Sequence, residues 1–151
     1  MRIYVDADSC PVKDEVYRVA KRYSVEVTLV SAAWLRVPPD PWIHLEVVRE
    51  TGGLDAADDW IVERLQPGDV VVSDDILLAS RCLAGGAKAL NSRGKEFTQD
   101  SIGDAVAMRE LMSNLREASA VTGGPSPMTK ADRSRFLQRL DEIVSRGRPR
   151  A

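Results

Sequence analysis

Two short runs that contain β-branched residues each end in a pair of aspartates, and this feature of the chain constrains the fold most. The runs occupy residues 2–5 and 70–73, and both are typical of buried strands in a parallel sheet. The acids at their ends are Asp6, Asp8, Asp74 and Asp75. In open parallel α/β sheets, ligands bind beyond the carboxyl ends of the strands. We therefore expect both pairs at the binding edge of the sheet.

Carboxylates that converge at one edge repel one another. Folded proteins keep such clusters mainly where a hard divalent cation neutralises the charge. Other kinds of metal site have few ligands available, since the chain has one histidine and two cysteines. We therefore predict Mg²⁺ or Mn²⁺ as a cofactor held by aspartates.

A further ligand is predicted on a helix over about residues 55–65. Asp58 lies three and four residues before Ile61 and Val62, which mark the buried face of that helix. Its neighbour Asp59 falls on a more polar stripe. An inward carboxylate needs a partner, so we add Asp58 to the site. The predicted metal ligands are Asp6, Asp8, Asp58, Asp74 and Asp75.

Capping is an alternative role for two of these acids. Asp8 and Asp75 each precede a predicted helix and can cap its N-terminus, whereas Asp6 is not adjacent to a helix. If the cluster binds a metal, the expected reaction is metal-assisted hydrolysis of a phosphodiester. The predicted catalytic residues are Asp6, Asp58 and Asp74.

Strand and helix patterns alternate along the chain, which is typical of βαβ units. Strands are predicted at 2–5, 25–30, 44–48, 70–73 and 88–90. The first helix is predicted to begin at Pro11 with caps from residues 8–10, and the others at about 55–65, 76–83, 104–118 and 130–146, the last capped by Thr129. The pattern predicts an α/β fold with a mostly parallel sheet of about five strands and a strand-free helical extension.

Length and composition predict one cytoplasmic domain. A chain of 151 residues, 44% of them hydrophobic, is enough for a single sizeable core. The longest apolar runs are too short to span a bilayer, and the N-terminus lacks the features of a signal peptide. We expect no membrane partner, and the sequence does not predict the oligomeric state.

Charge is distributed unevenly. Residues 1–92 hold ten Lys/Arg and fifteen Asp/Glu, a net charge of −5, whereas residues 93–151 hold eleven and eight, a net charge of +3. A basic extension beside an acidic metal-binding body suits a phosphate-containing substrate such as RNA. The predicted substrate-binding residues are Asn91, Arg93, Arg133 and Arg135. Surface or salt-bridging roles explain the arginines equally well.

Four segments have a specific pattern. They are residues 5–13 (VDADSCPVK), 56–61 (AADDWI), 90–94 (LNSRG) and 122–137, which begins TGGP and ends DRSRFL. Together they closely resemble the YaiI/YqxD family, an uncharacterised bacterial family, across nearly the whole chain. The resemblance brings no established activity.

A more distant resemblance, over about residues 1–95, is to PIN-like and NYN-type nuclease domains. These domains have an aspartate on the first strand, an acid on a central helix and aspartates after the fourth strand. The matching residues here are Asp6, Asp58, Asp74 and Asp75. The similarity implies a single three-layer PIN-like domain, with an α/β core at 1–95 and a helical extension at 96–151, and a Mg²⁺-dependent RNase-like site.

Two other functions fit part of the pattern. Residues 6–9 also resemble the nucleophile motif of haloacid-dehalogenase-like phosphatases, with Asp6 as the nucleophile and Asp8 as the acid/base. We find no clear Ser/Thr-ended strand and lysine in the order which that motif requires, so this function ranks second. A non-enzymatic RNA- or protein-binding module is the third.

Aromatic residues and cysteines add little to these functions. Trp34, Trp42 and Trp60 are expected to pack against the protein rather than to stack on bases. Cys10, at a helix N-terminus, has no nearby histidine or second cysteine in the sequence. We expect it to pack rather than to act as a nucleophile.

Overall fold

A six-stranded sheet forms the middle layer of the fold. The computed structural model describes residues 1–49, 55–118 and 127–147. The strands are β1 (Arg2–Asp6), β2 (Glu26–Ser31), β3 (Ile43–Val47), β4 (Val70–Val72), β5 (Lys88–Leu90) and β6 (Glu96–Phe97). Their order is β3-β2-β1-β4-β5-β6, with β1 to β5 parallel and β6 antiparallel to β5. The predicted parallel sheet is confirmed, with one strand more than expected.

Helices cover both faces of the sheet. They are α1 (Lys13–Tyr23), α2 (Ala56–Arg64), α3 (Ile76–Ala84), α4 (Gln99–Ala118) and α5 (Lys130–Gly147). Along β1, Ile3 and Val5 join the core with α1 and α5, whereas Tyr4 points into the core with the other three helices. The result is a three-layer α/β arrangement. No helix in the described ranges is long and apolar enough to cross a membrane.

Helix α5 completes the core on its face of the sheet. Its apolar side chains Phe136, Leu140, Ile143 and Val144 are buried in the same cluster as Ile3 and Val5. Burying one such side chain stabilises a fold by roughly 1.5–3 kcal/mol. The C-terminal segment is therefore packed into the α/β core and is more than an extension beside it.

Two helix starts differ from the predictions. Helix α1 begins at Lys13 rather than at Pro11, no side chain caps it, and residues Ala7–Ser9 form a separate 3₁₀ turn. Helix α4 begins at Gln99, five residues before the predicted start. There the backbone N–H of Thr98 donates to Ser101 Oγ and the backbone N–H of Ser101 donates to Thr98 Oγ1, a local start signal that the sequence analysis missed.

Residues 96–151 were predicted to contain no strand, and this prediction is wrong at β6 (Glu96–Phe97). Instead Asn91 Oδ1 accepts hydrogen bonds from the backbone N–H groups of Arg93 and Lys95, which returns the chain as a hairpin. Gly94 has φ +88°, and a Cβ at that position would lie 2.8 Å from the carbonyl carbon of Arg135. Gly94 therefore allows α5 to pack directly on this turn.

Candidate functional site

The crevice between β1 and β4 is the switch point of the sheet. From β1 the next strand, β2, lies on one side, and from β4 the next strand, β5, lies on the other. In such sheets the crevice beyond the carboxyl ends of these two strands is the usual ligand site. Asp6 is the last residue of β1, and Asp74 and Asp75 follow β4 directly after Ser73. The expected placement of the aspartate pairs at one edge is confirmed.

Asp6 is half-buried at this crevice. Ser73 Oγ donates a hydrogen bond of 3.0 Å to its Oδ2. Burial raises the pKa of Asp6, the Ser73 hydrogen bond opposes that shift, and the charges of Asp75, Asp8 and Asp74 raise it further. Asp6 is thus in an electrostatic field that a cation would relieve.

Asp58 differs from the other four predicted ligands in its surroundings. It lies half-buried in the first turn of α2, and burial, followed by the charges of Asp75 and Asp6, raises its pKa to about 6. Its carboxylate makes no hydrogen bond or salt bridge within the described part of the chain. The neighbouring Asp59 is exposed and lies 2.8 Å from Arg81 Nη1. The predicted inward Asp58 and outward Asp59 are both confirmed.

Asp75 and Asp74 each have hydrogen-bond donors. Asp75 caps α3, since its Oδ1 accepts from the backbone N–H groups of Leu77 at 2.9 Å and Leu78 at 3.2 Å. The capping role is therefore confirmed for Asp75. Asp74 is exposed and accepts from both the backbone N–H and the hydroxyl of Ser92.

Asp8 does not cap α1, so that alternative is wrong. Its two oxygens accept hydrogen bonds from Ser31 Oγ at 2.8 Å and from the backbone N–H of Ala32 at 3.0 Å. Asp8 thus binds the end of β2, because the 3₁₀ turn after β1 directs it across the sheet edge. The five predicted ligands lie at one edge, but four of them already have donors from the protein.

A hard cation fits these donors in chemistry, although not as a preformed cage. All five groups are carboxylates, which suit Mg²⁺ or Mn²⁺. Among the described residues, no group of three or more His, Cys, Asp and Glu is arranged to hold a metal ion by itself. Mg²⁺ commonly uses one or two protein carboxylates and completes its shell with water and substrate phosphate. The residues fit a site of that open kind.

The predicted substrate-binding arginines all have carboxylate partners. Arg93 and Arg135 lie 2.8 Å and 3.1 Å from the two oxygens of Asp132, and Arg133 lies 3.6 Å from Glu15. Asn91, the fourth predicted residue, holds the β5–β6 turn instead. These contacts favour the salt-bridging role that the sequence left open for the arginines.

Three serines at the edge were missed by sequence reasoning. Ser73, Ser92 and Ser31 are each 5% exposed or less, and each donates to one of the aspartates. A serine next to a strand-end aspartate, as in Ser73-Asp74, was the available signal. Ser31 also corrects an expectation, since β2 does end on a serine that contacts Asp8. The phosphatase pattern also requires a lysine after that serine and before the second aspartate pair. The chain has no lysine between Lys21 and Lys88, so this part of the pattern is absent.

Trp34 and Cys10 were given packing roles by the sequence. Trp34 is instead 73% exposed, three residues beyond the end of β2, so the packing prediction is wrong for this residue. Trp60 does pack, edge-on against Tyr4 at 6.3 Å between ring centroids. Burial raises the pKa of Cys10 to about 11, which keeps the thiol protonated and is consistent with packing.

This fold and edge define a three-layer α/β protein with a carboxylate-rich crevice at the switch point of its sheet. The chain belongs to the YaiI/YqxD family, since residues 4–146 match the family described as "Uncharacterized BCR, YaiI/YqxD family". The resemblance noted from the sequence is thereby confirmed at the level of this family.

Bacterial relatives match almost the full length. The chain is 56% identical to a UPF0178 protein of Paramagnetospirillum magneticum over 143 residues, covering 95% of this chain and 93% of that protein. It is 56% identical to a UPF0178 protein of Bradyrhizobium diazoefficiens over 145 residues, covering 96% and 86%, and 49% identical to one of Nitrobacter winogradskyi over 146 residues, covering 97% and 92%. No solved structure matches the chain. None of these descriptions names an activity.

Proposed function

We propose that the chain is a Mg²⁺- or Mn²⁺-dependent phosphodiesterase, an endoribonuclease of the PIN-like type. The observation that carries this proposal is Asp58, a half-buried carboxylate without a hydrogen-bond partner among the described residues, in the field of Asp6 and Asp75. Ionised Asp58 costs the fold stability, so a ligand that offsets the negative charge of this group of acids is expected beside it. A divalent cation with a substrate phosphate is the ligand that matches the chemistry.

The residues have distinct roles in this proposal. Asp6, oriented by Ser73, and Asp74, oriented by Ser92, are the proposed ligands of the ion. When bound, a divalent ion would lower the pKa of a water molecule and stabilise the leaving oxygen. Asp58, which accepts no hydrogen bond from the described residues and lies in the field of Asp75 and Asp6, is the proposed base that takes a proton from the attacking water at a carboxylate oxygen.

RNA cleavage in Mn²⁺ or Mg²⁺ tests this proposal. We expect the purified protein to cleave RNA with either ion and not in EDTA. Asp6→Asn, Asp74→Asn and Asp58→Asn should each lower the rate by about 10²–10⁴-fold, because each removes a ligand or the base. Asp59→Asn is the matched control, since Asp59 is adjacent on α2 but faces solvent and Arg81. A folded protein that cleaves neither RNA nor DNA with any of these ions contradicts the proposal.

A phosphatase is the second candidate, because Ser31 ends β2 and donates to Asp8. In that reaction Asp6 attacks phosphorus while the bond to the leaving alcohol oxygen breaks, water then hydrolyses the phospho-aspartate, and Asp58 takes no direct part. Hydrolysis of p-nitrophenyl phosphate that depends on Asp6 but survives Asp58→Asn would favour this function. Hydrolysis of bis(p-nitrophenyl) phosphate that depends on both residues favours the nuclease. RNA binding without hydrolysis of any of these compounds favours the non-enzymatic module.

A further inference from the structure

A large cavity opens beside the acidic edge, between α4 and the β5–β6 turn. Its volume is about 1140 Å³, and Asp74 and Ser92 line it together with residues of α4. Pockets for small molecules usually have volumes of about 300–1,000 Å³. The cavity is therefore large enough for a ligand bigger than a single small metabolite, and it adjoins one of the carboxylates of the candidate site.

The cavity has an adaptable apolar lining. Met108 and Met112, one turn apart on α4, are 57% and 43% exposed, and Met128 and Phe97 also contribute. Methionine side chains are flexible and polarisable, and they are frequent on surfaces that accept varied partners. Exposed apolar side chains gathered in one cavity indicate a binding surface rather than ordinary surface scatter. This lining suits flat apolar groups of varied shape.

Two cations at the cavity have no acidic partner among the described residues. Lys95 and Arg109 form no salt bridge within the described ranges, in contrast to Arg93, which is paired with Asp132. Lys95 Nζ lies 5.6 Å from the centroid of the Phe97 ring. Asp74 and Asp104 also line the cavity, so contacts to an anionic ligand would be made by Lys95 and Arg109.

An apolar lining with unpaired cations matches a single nucleic-acid strand. Such a strand presents phosphates together with unpaired bases, and proteins bind it through cationic grooves and apolar or aromatic contacts to the bases. In a duplex the bases are stacked and paired, so the apolar lining would have nothing to contact. The chemistry therefore favours single strands over duplexes.

We propose that this cavity binds a single-stranded segment of nucleic acid and leads it to the carboxylate edge at Asp74. The biological role of this binding rests on the proposed nuclease function, but the binding itself needs no metal. Lys95 and Arg109 hold phosphates, while Met108 and Met112 contact bases.

Fluorescence anisotropy with a labelled single-stranded RNA of about 10 nucleotides, in EDTA, tests the proposal. Lys95→Gln combined with Arg109→Gln should weaken binding about 10-fold or more at 0.1 M salt. The slope of log affinity against log salt should become shallower by about 1.4, the value for two phosphate contacts on a single strand. Met108→Ala with Met112→Ala should weaken binding without changing that slope.

The matched control is Arg18→Gln combined with Arg146→Gln. Both arginines are exposed on α1 and α5, on the other face of the sheet, and neither forms a salt bridge within the described residues. This variant should bind the RNA as the wild type does. The proposal is overturned if the wild type does not bind the strand, if a matched duplex binds equally well, or if the control variant loses as much affinity.

A second copy of the chain is the competing occupant, because Met108, Leu111 and Met112 are all exposed on one side of α4. Sedimentation would detect it: a wild-type dimer that becomes monomeric on Met108→Glu overturns the RNA proposal. The strand-binding proposal and the proposed nuclease function can each be contradicted without the other. Strand binding in EDTA tests the cavity alone, whereas wild-type hydrolysis of bis(p-nitrophenyl) phosphate, which has no bases or strand, tests the catalytic edge alone.

Discussion

Asp58 and Asp132 are each the third residue of a helix, α2 and α5 respectively, yet their surroundings are opposite. Asp132 exchanges hydrogen bonds with Thr129 in a capping box, and it pairs with Arg93 and Arg135. Asp58 has no such donors within the described residues, and the largest charge effects on it come from Asp75 and Asp6, with Arg81 acting in the opposite direction. The same residue type at the same helical position is thus held by hydrogen bonds and two arginines in α5, whereas in α2 burial and neighbouring acids outweigh the effect of Arg81.

The pKa shifts follow this difference. The backbone hydrogen bond from Thr129 lowers the pKa of Asp132 against the effect of burial, and Thr129 Oγ, Arg135 and Arg93 lower it further. Burial, with Asp75 and Asp6, raises the pKa of Asp58 to about 6. Ionised Asp132 therefore stabilises the fold, whereas ionised Asp58 costs stability. A carboxylate that costs stability is the better candidate for function.

The largest effect is expected for Asp132→Asn at neutral pH. Removing the charge leaves Arg93 and Arg135 without their common partner, at the point where the β5–β6 turn packs on α5. We expect the melting temperature to fall by about 5–10 °C in calorimetry. Asp100→Asn, an exposed first-turn aspartate of α4, is the control and should change it little. An equal effect of both substitutions would show that the Asp132 cluster has no special role.

Divalent ions should raise stability through the carboxylate crevice that contains Asp6 and Asp58, and not through the Asp132 cluster. At about 100 times its dissociation constant, Mg²⁺ or Mn²⁺ is expected to stabilise the wild type by about 2.7 kcal/mol. Asp6→Asn should abolish most of this gain, because Asp6 is a proposed ligand, while Asp132→Asn should keep it. Thermal unfolding with and without Mn²⁺ measures both. A gain that Asp6→Asn leaves intact would place the ion elsewhere.

Substituting Asp58 should stabilise the protein without metal. At pH 8 in EDTA, Asp58→Asn removes a half-buried charge that lies near Asp75 and Asp6. We expect the free energy of unfolding to rise by about 1 kcal/mol, a value that allows for solvent screening of the partly exposed group. Denaturant unfolding measures it, with Asp59→Asn as the control. A loss of stability in Asp58→Asn would mean that the carboxylate is compensated after all.

Local sequence patterns predicted where several of these acids lie in the fold. The β-branched runs placed Asp6 and Asp74 at strand ends, and helical periodicity placed Asp58 inward, because these features depend on neighbours within a few residues. Thr129 was likewise predicted as a cap from the adjacent sequence, and its capping box with Asp132 confirms this. The positions of these acids in the fold could therefore be predicted from the sequence.

Contacts between segments that are far apart in the sequence could not be predicted from it. Asp8 accepts from Ser31, 23 residues away, and Arg93 pairs with Asp132, 39 residues away. A single sequence indicates which residues carry charge, but the fold decides which charges meet. For this reason the sequence left the role of the arginines open between phosphate binding and salt bridges, and the donors that hold Asp6, Asp8 and Asp74 were missed.

The smallest effect, and the finest test, is the pH dependence of the two substitutions. The pKa of folded Asp58 is raised, so the folded state binds the extra proton and its cost is absent at low pH. The stabilisation by Asp58→Asn should therefore be constant above about pH 6 and fade as the pH falls toward 4.

The pKa of folded Asp132 is lowered, so its contribution is present above its unfolded pKa and is lost only as the pH falls through its lower folded pKa. Unfolding free energies of both variants and the wild type between pH 4 and 8 measure the two profiles. The Asp58→Asn difference should shrink first, while the Asp132→Asn difference should persist at pH 5. Parallel profiles would contradict the contrast, because equal titration would mean that both carboxylates have equivalent surroundings.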